Sequence, residues 1–472
     1  MHHRKLLGLL CTALVALVLS KSVAAQSTPV SSPRPQAASS AADPFERFVH
    51  FLWQDWTGTA PASATTPPRR GLPSPLDSPP FYSSDGSYSD SPTIGEPDTA
   101  PYALSTALHL ENSRTKLYGW VEPSVNVSTS ADSNSPEADD FLPNRVVLDR
   151  FVLIAERLPD TVQRDHVDWG FRFTNLFGTD YRFNVGKGYF LSQLTDHNRQ
   201  YGYDAPFDWI DVYLPAAQGI NLRFGRFASA PGIESQIPPF NYAFSHSLVN
   251  ITEPVTQTGV MATAKLSDQW LVQLGLTGGN DIALWSKGAK PSVTACIDHT
   301  TGSVNDNFYV CANGINDGKY AYNNVQQYDA TWYRKWSKRV HTAAESWFMY
   351  QRDVPSTLSP FAPEPNSYAA LCHPGLARCF APEYATLIYA QAELSPHNTL
   401  SLRNEFLNDK RGQRTGIASR YTEHTLSWTH WIGSTVQIRP EIRYERSWDR
   451  PAYNNGIRFA QFTAAADLVL HY

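Results

Sequence analysis

The chain has 472 residues, with 39 Lys and Arg against 44 Asp and Glu, a formal net charge of −5, and 12% aromatic residues beside only 3 methionines. So even a balance of charge excludes a basic nucleic-acid-binding surface, and no nucleic-acid partner is expected. The aromatic-rich composition favours strands over helices.

Residues 1–25 carry His2, His3, Arg4 and Lys5, then "LLGLLCTALVALVLS", then small residues before Gln26. A basic start, a short apolar run and a small-residue cleavage site are the marks of a secretory signal peptide. Cys11 belongs to that run and is expected to leave with it. No later stretch supplies about 18 consecutive apolar residues, so no transmembrane helix is expected in the mature chain.

Residues 26–110 read as "SSPRPQAASSAADP" and "TAPASATTPPRRGLPSPLDSPPF". Such Pro/Ser-rich sequence buries too little apolar area to offset chain entropy, and a mostly disordered extension is expected. One island, "PFERFVHFLWQDW", places Phe45, Phe48, Leu52 and Trp56 at helical spacing and predicts a short amphipathic helix near 44–56.

From residue 111 to 472 the texture changes to alternating stretches of about ten residues separated by turn signals, as barrel strands show. In "TVQIRPEIRYERSW", Val436, Ile438, Pro440, Ile442 and Tyr444 form one face. Gln437, Arg439, Glu441, Arg443 and Glu445 form the other. The chain ends "FTAAADLVLHY", with Phe462, Ala464, Ala466, Leu468, Leu470 and Tyr472 on a wholly apolar face. A soluble sandwich could use either pattern, but an export signal followed by an apolar, aromatic terminus points to strands facing lipid. Leu468, Leu470 and Tyr472 are read as the signal that engages the barrel-assembly machinery.

Fifteen segments have strand character, whereas single-chain bacterial barrels have an even number. Short and long connections alternate back from the C-terminus, with long ones at 447–457, 409–419, 351–383, 280–325 and 229–255. Keeping that alternation demotes 180–190 into a long outer connection. The expectation is an all-β transmembrane antiparallel up-and-down barrel of about 14 strands, with 16 as the alternative, preceded by a periplasmic N-terminal extension.

Four cysteines remain after signal cleavage, and short separation favours Cys296–Cys311 and Cys372–Cys379, one disulfide in each of two loops. Three connectivities are possible, and His373 beside Cys372 leaves metal ligation as a weaker alternative.

Several stretches resemble the OmpL-like beta-barrel porin family, also called beta-barrel porin-2: "SRTKLYGWVEPSVNVS", "HVDWGFRFTNLFGTDYRF", "HTAAESWFMYQRDVP" and, most specifically, "FGRFASAPGIESQIPPFNYAFSHSLVNITEPVTQTG". The resemblance covers most of 114–472, implies an outer-membrane channel, and brings no catalytic residue with it.

Catalytic motifs are absent from the sequence, and no enzymatic activity, cofactor or metal is expected. Ser245, His246 and Ser247 adjoin in one loop, an arrangement that rarely forms a nucleophile pair. "NGINDGK" (313–319) offers oxygens to a calcium ion but reads more simply as a turn. The expected function is passive diffusion of small hydrophilic solutes through the outer membrane of a Gram-negative-type bacterium, with outer-membrane lipid around the barrel. An adhesion or assembly protein that binds through its large loops is the alternative. The connection 229–255 carries too much apolar surface for a solvated loop, so it is expected to fold into the barrel mouth. There Glu234, Asn241 and His246 are expected to face Arg223, Arg439 and Arg443 across the lumen, beside Glu441.

Overall fold

The computed structural model describes residues 43–58, 103–110 and 113–472, apart from 138, 162, 236–240, 268, 304, 338, 358–368, 396 and 434. The signal peptide expected at 1–25 and the greater part of the Pro/Ser-rich extension lie outside the described residues.

Seventeen strands follow in chain order. The first nine are β1 (Thr115–Ser128), β2 (Val146–Arg157), β3 (Asp168–Gly178), β4 (Gly202–Asp204), β5 (Asp208–Leu214), β6 (Ile220–Ala228), β7 (Thr256–Lys265), β8 (Trp270–Asn280) and β9 (Ser292–Thr300). The rest are β10 (Asp306–Ile315), β11 (Gln326–Lys335), β12 (Val340–Pro355), β13 (Arg378–Ser395), β14 (Asn398–Asp409), β15 (Ser419–Ile432), β16 (Val436–Ser447) and β17 (Ala460–His471). Each pairs antiparallel with the next, except that β3 pairs with β5 past the short β4, and β17 returns to β1 with Trp120 opposite His471 and Val125 opposite Ala466. The three-residue β4 pairs only with β3, so sixteen strands close the barrel.

The count of sixteen is the alternative read from the sequence and not the fourteen put first. The demotion of 180–190 agrees with the structure, where 179–207 is one connection holding the helical turns α3 (Tyr181–Asn184) and α4 (Ser192–Thr195). The difference lies in 280–325, taken from the sequence as one long loop, which contains β9 and β10. β9 carries Cys296 and Asp298, and β10 Asp306, Asn307, Cys311 and Asn313, yet Val293, Ile297, Phe308 and Val310 project outward from them.

Alternation sorts the side chains as a membrane barrel requires. Ile210, Leu274, Ile388, Leu402, Leu426, Ile442 and Phe462 are exposed on the outside, where lipid lies. Glu122, Gln257, Asn313, Arg403, Arg439 and Arg443 are buried on the inside. On β16 Ile438, Pro440, Ile442 and Tyr444 point outward and Gln437, Arg439, Glu441, Arg443 and Glu445 inward, while Val436 at the strand start is buried. Among the described residues no helix is long and apolar enough to cross a membrane, which says nothing against strands doing so.

The seam between β17 and β1 is held by the last residue. The Tyr472 backbone exchanges hydrogen bonds with Gly119 at 2.9 and 3.0 Å, its hydroxyl donates to the Val152 carbonyl at 2.6 Å, and its ring stacks on Phe151.

Both disulfides form as paired in the sequence reading. Their setting corrects one point: Cys296 and Cys311 face each other across the β9–β10 ladder with Cα atoms 4.1 Å apart, in the barrel wall and not in a loop. Cys372–Cys379 ties a long connection to the start of β13, which leaves no thiolate beside His373 to bind metal. The "NGINDGK" segment runs off β10 into a turn, with Asn316 Oδ1 accepting from Gly318 N and Asp317 Oδ1 from Lys319 N.

Helix α1 (Pro44–Thr57) docks at the short-turn end of the barrel. Asp55 Oδ2 accepts from Thr435 N and Oγ1 at 3.1 and 2.7 Å, and Trp56 Nε1 donates to the same hydroxyl. A Cβ at Gly433 would collide with the Asp55 carboxylate, so the turn and the helix are fitted closely. Arg47 donates to the Ala107 carbonyl, at the end of helix α2 (Ala103–Ala107), whose Ser105 hydroxyl bonds the Leu117 backbone in β1.

Candidate functional site: the inward segment 229–255

Between β6 and β7 the chain does not stay at the rim. Ile233, Phe244, Leu248 and Val249 are each at most 2% exposed. Ile233, Leu248 and Val249 pack with Val325, Trp347, Met349 and Leu387 from the barrel wall. So much apolar surface in one loop finds cover only inside the barrel, and that determines its course.

Its polar groups are matched by wall carboxylates. Glu441 on β16 accepts from Phe244 N at 3.0 Å, Ser245 N at 3.2 Å and Ser245 Oγ at 2.6 Å. Glu405 on β14 accepts from Leu248 N and Val249 N at 2.8 and 2.9 Å. Those two amides open a short helix, α5 (Leu248–Thr252), which follows the two turns within 179–207. Ser247 caps α5 by accepting from Asn250 N, so the capping side chain and the wall anion together satisfy donors that a helix start leaves free. In β6–β7–β8 order around a ring of sixteen, β14 lies eight strands from β6. The segment therefore spans the full width of the lumen.

The buried cations complete the arrangement. Arg403 on β14 pairs with Glu234 at 3.2 Å and with Glu423 on β15 at 3.0 Å, and donates to Ser245 Oγ at 2.9 Å. Arg439 pairs with Glu122 at 2.9 Å and with Asp467, and donates to the Asn241 and Ala243 carbonyls at 3.1 Å. Arg443 pairs with Glu441 at 2.9 Å, Glu445 at 3.1 Å and, from the connection 129–145, Asp140 at 3.2 Å.

Glu234, Asn241, His246, Arg439 and Glu441 thus come together, but as contact pairs and not as charges facing each other over a gap. Arg443 joins them through Glu441, whereas Arg223 does not: it pairs with Asp211 on the neighbouring β5 at 2.8 Å and stacks on Trp209. Arg403, Glu405, Asp139 and Asp140 carry much of the geometry without having been singled out in the sequence. "SLRNEFLND" does show Arg403 and Glu405 alternating with Leu402 and Phe406, a signal of the same kind as that in β16. The adjacency of Ser245, His246 and Ser247 forms no nucleophile pair, since the two hydroxyls donate to Glu441 and Glu234.

His246 links two connections. Its Nδ1 faces Asp139 from 129–145, and its Nε2 lies 2.8 Å from the Ser235 carbonyl. Asn241 Nδ2 lies 2.9 Å from the same Nε2, so it is the Asp139 carboxylate at Nδ1 that favours the imidazolium. Burial alone would push His246 down, but Asp139 outweighs it and raises the group above its ordinary 6.5. Burial likewise opposes ionisation of Asp139, yet His246 and Arg150 hold it well below the usual carboxylate range. The raised His246 contributes stability below about pH 6.5 that is lost as pH climbs through its folded value. The depressed Asp139 contributes above about pH 3.8 and loses this as pH falls through its own. The tie is strongest between those limits. An NMR titration of the His246 ring is expected to give a midpoint above 6.5 that drops in Asp139→Asn; a midpoint at or below 6.5 would contradict the imidazolium assignment.

A closed sixteen-strand barrel with a lipid-facing exterior, a charged interior and a segment folded across it defines the class of outer-membrane porins. Residues 115–472 match the model of the family described as "Putative beta-barrel porin-2, OmpL-like", and the chain belongs to that family. No curated protein sequence matches the chain. Among solved structures, the outer-membrane channel DcaP of Acinetobacter baumannii is similar at 12% identity with a TM-score of 0.47, over 76% of this chain and 97% of that one. The anion-selective porin from Comamonas acidovorans gives 9% and 0.45 over 76% and 99%, and OmpT of Vibrio cholerae 10% and 0.46 over 76% and 97%.

Proposed function

We propose that this porin passes small hydrophilic solutes by passive diffusion through a lumen narrowed by residues 229–255, and that it does so without catalysis. The observation carrying this reading is the fastening of that segment to β14 and β16, on the far side of the ring, by Glu405 and Glu441. The charged groups around it, Glu234, His246, Arg403, Arg439, Glu441 and Arg443, then set which ions and polar solutes pass. The N-terminal signal takes the chain across the inner membrane. Leu468, Leu470 and Tyr472, on the outward face beside the closing seam, are read by the barrel-assembly machinery. The long connections, 229–255 among them, open to the exterior, and α1 lies on the periplasmic side.

Planar-bilayer recording of the refolded protein tests the channel. Discrete ohmic steps are expected. A barrel shown to be folded by heat-modifiable gel migration that gives no steps would reject it.

A further inference from the structure

Three buried acids have no part in the network above. Glu253 closes the inward segment just after α5, Asp329 lies on β11 and Glu345 on β12, each at most 3% exposed. One carboxylate oxygen of each lies within 4.8 Å of the others. Several other buried acids of the lumen meet arginine: Glu122 and Asp467 meet Arg439, Glu423 meets Arg403, and Glu441 meets Arg443. Around this trio the acting charges are acids again, the three on one another and Glu234 on both glutamates.

Their donors are few. Gln327 Nε2 reaches Glu253 Oε1 at 2.9 Å, and Ile233 N reaches Glu345 Oε2 at 2.8 Å. Both oxygens of Asp329 and Oε1 of Glu345 are buried with no donor among the described residues. A carboxylate sealed from water without a partner is costly, and three together compound the cost. Protons shared between Glu345 and its two acidic neighbours engage one oxygen of each acid, which still leaves the second Asp329 oxygen without a donor.

We propose that Glu253, Asp329 and Glu345 bind a divalent cation of calcium's size. Calcium takes hard oxygen ligands at about 2.3–2.6 Å, so two oxygens on opposite sides of the ion stand about 5 Å apart, and the spacing of the trio falls within that reach. Carboxylates from the end of the inward segment and from two adjacent strands close one site. The ion thereby pins the β7 end of that segment to the wall, as Glu405 and Glu441 pin its middle.

The test uses the full chain refolded in detergent without lipopolysaccharide, stripped with EDTA, and titrated calorimetrically with calcium chloride at pH 7.5. One calcium per chain is expected, together with a rise of several degrees in the temperature at which the heat-modifiable band shifts. Asp329→Asn should lose both effects, while Asp298→Asn, which removes another inward acid on β9, should keep them. Absence of calcium binding by the wild-type chain at millimolar concentration overturns the proposal, whatever the variants do. So does binding that Asp329→Asn leaves intact.

Discussion

Replacing residues 236–250 with a short Gly/Ser linker raises single-channel conductance severalfold and weakens ion preference. The sign follows from what the change removes: the apolar anchors Phe244, Leu248 and Val249 and every backbone donor that Glu405 and Glu441 accept from. Water then occupies the space, so Arg403, Arg439 and the wall acids are rehydrated and not orphaned. The ladder of sixteen strands is untouched. Equal conductance for wild type and variant, both folded by gel mobility, would show that the segment does not limit flow.

The second large effect is on stability. Arg403→Ala removes the paired cation from Glu423 and Glu234 at once, with the segment still covering them. Breaking a buried pair by removing one member costs about 3–5 kcal/mol, because a desolvated charge is left uncompensated. Urea unfolding in detergent should show a loss of that order. Arg420→Ala provides the contrast: its pair with Asp449 is 54% and 40% exposed at the rim, and solvent screening should leave the midpoint unmoved. Equal midpoints for the two variants would mean that water reaches Arg403 freely.

Much of the barrel was legible because lipid enforces a two-residue period. On β16 and β17 the outward positions named from the sequence are outward in the structure, with the buried Val436 as the exception, since a one-residue slip would put charges into the membrane. Strand number was less legible for a related reason. An even count is preserved when a whole hairpin goes unseen, so the parity rule that correctly removed 180–190 had no power to recover β9 and β10. The alternation of short and long connections put 280–325 into one loop, although Val293, Ala295 and Ile297 alternate there with Thr294 and Cys296. At the site, the apolar content of 229–255 was enough to foretell where the segment goes. Its partners were not legible, because Glu405 and Asp139 meet it from β14 and from a distant connection. Pairing over such separations depends on strand order and register, which no local pattern records.

A ring of hydrogen-bonded staves resists stretching far better than it resists being squeezed oval, because each ladder acts as a hinge along its length. The fastening of 229–255 to β14, eight staves away, works as a diametral tie against that soft deformation. Shape and aperture are thereby coupled: lateral pressure from the surrounding lipid cannot flatten this cross-section without loading the bonds at Glu405 and Glu441. The contacts that hold 229–255 inside the ring are the same few that keep it round.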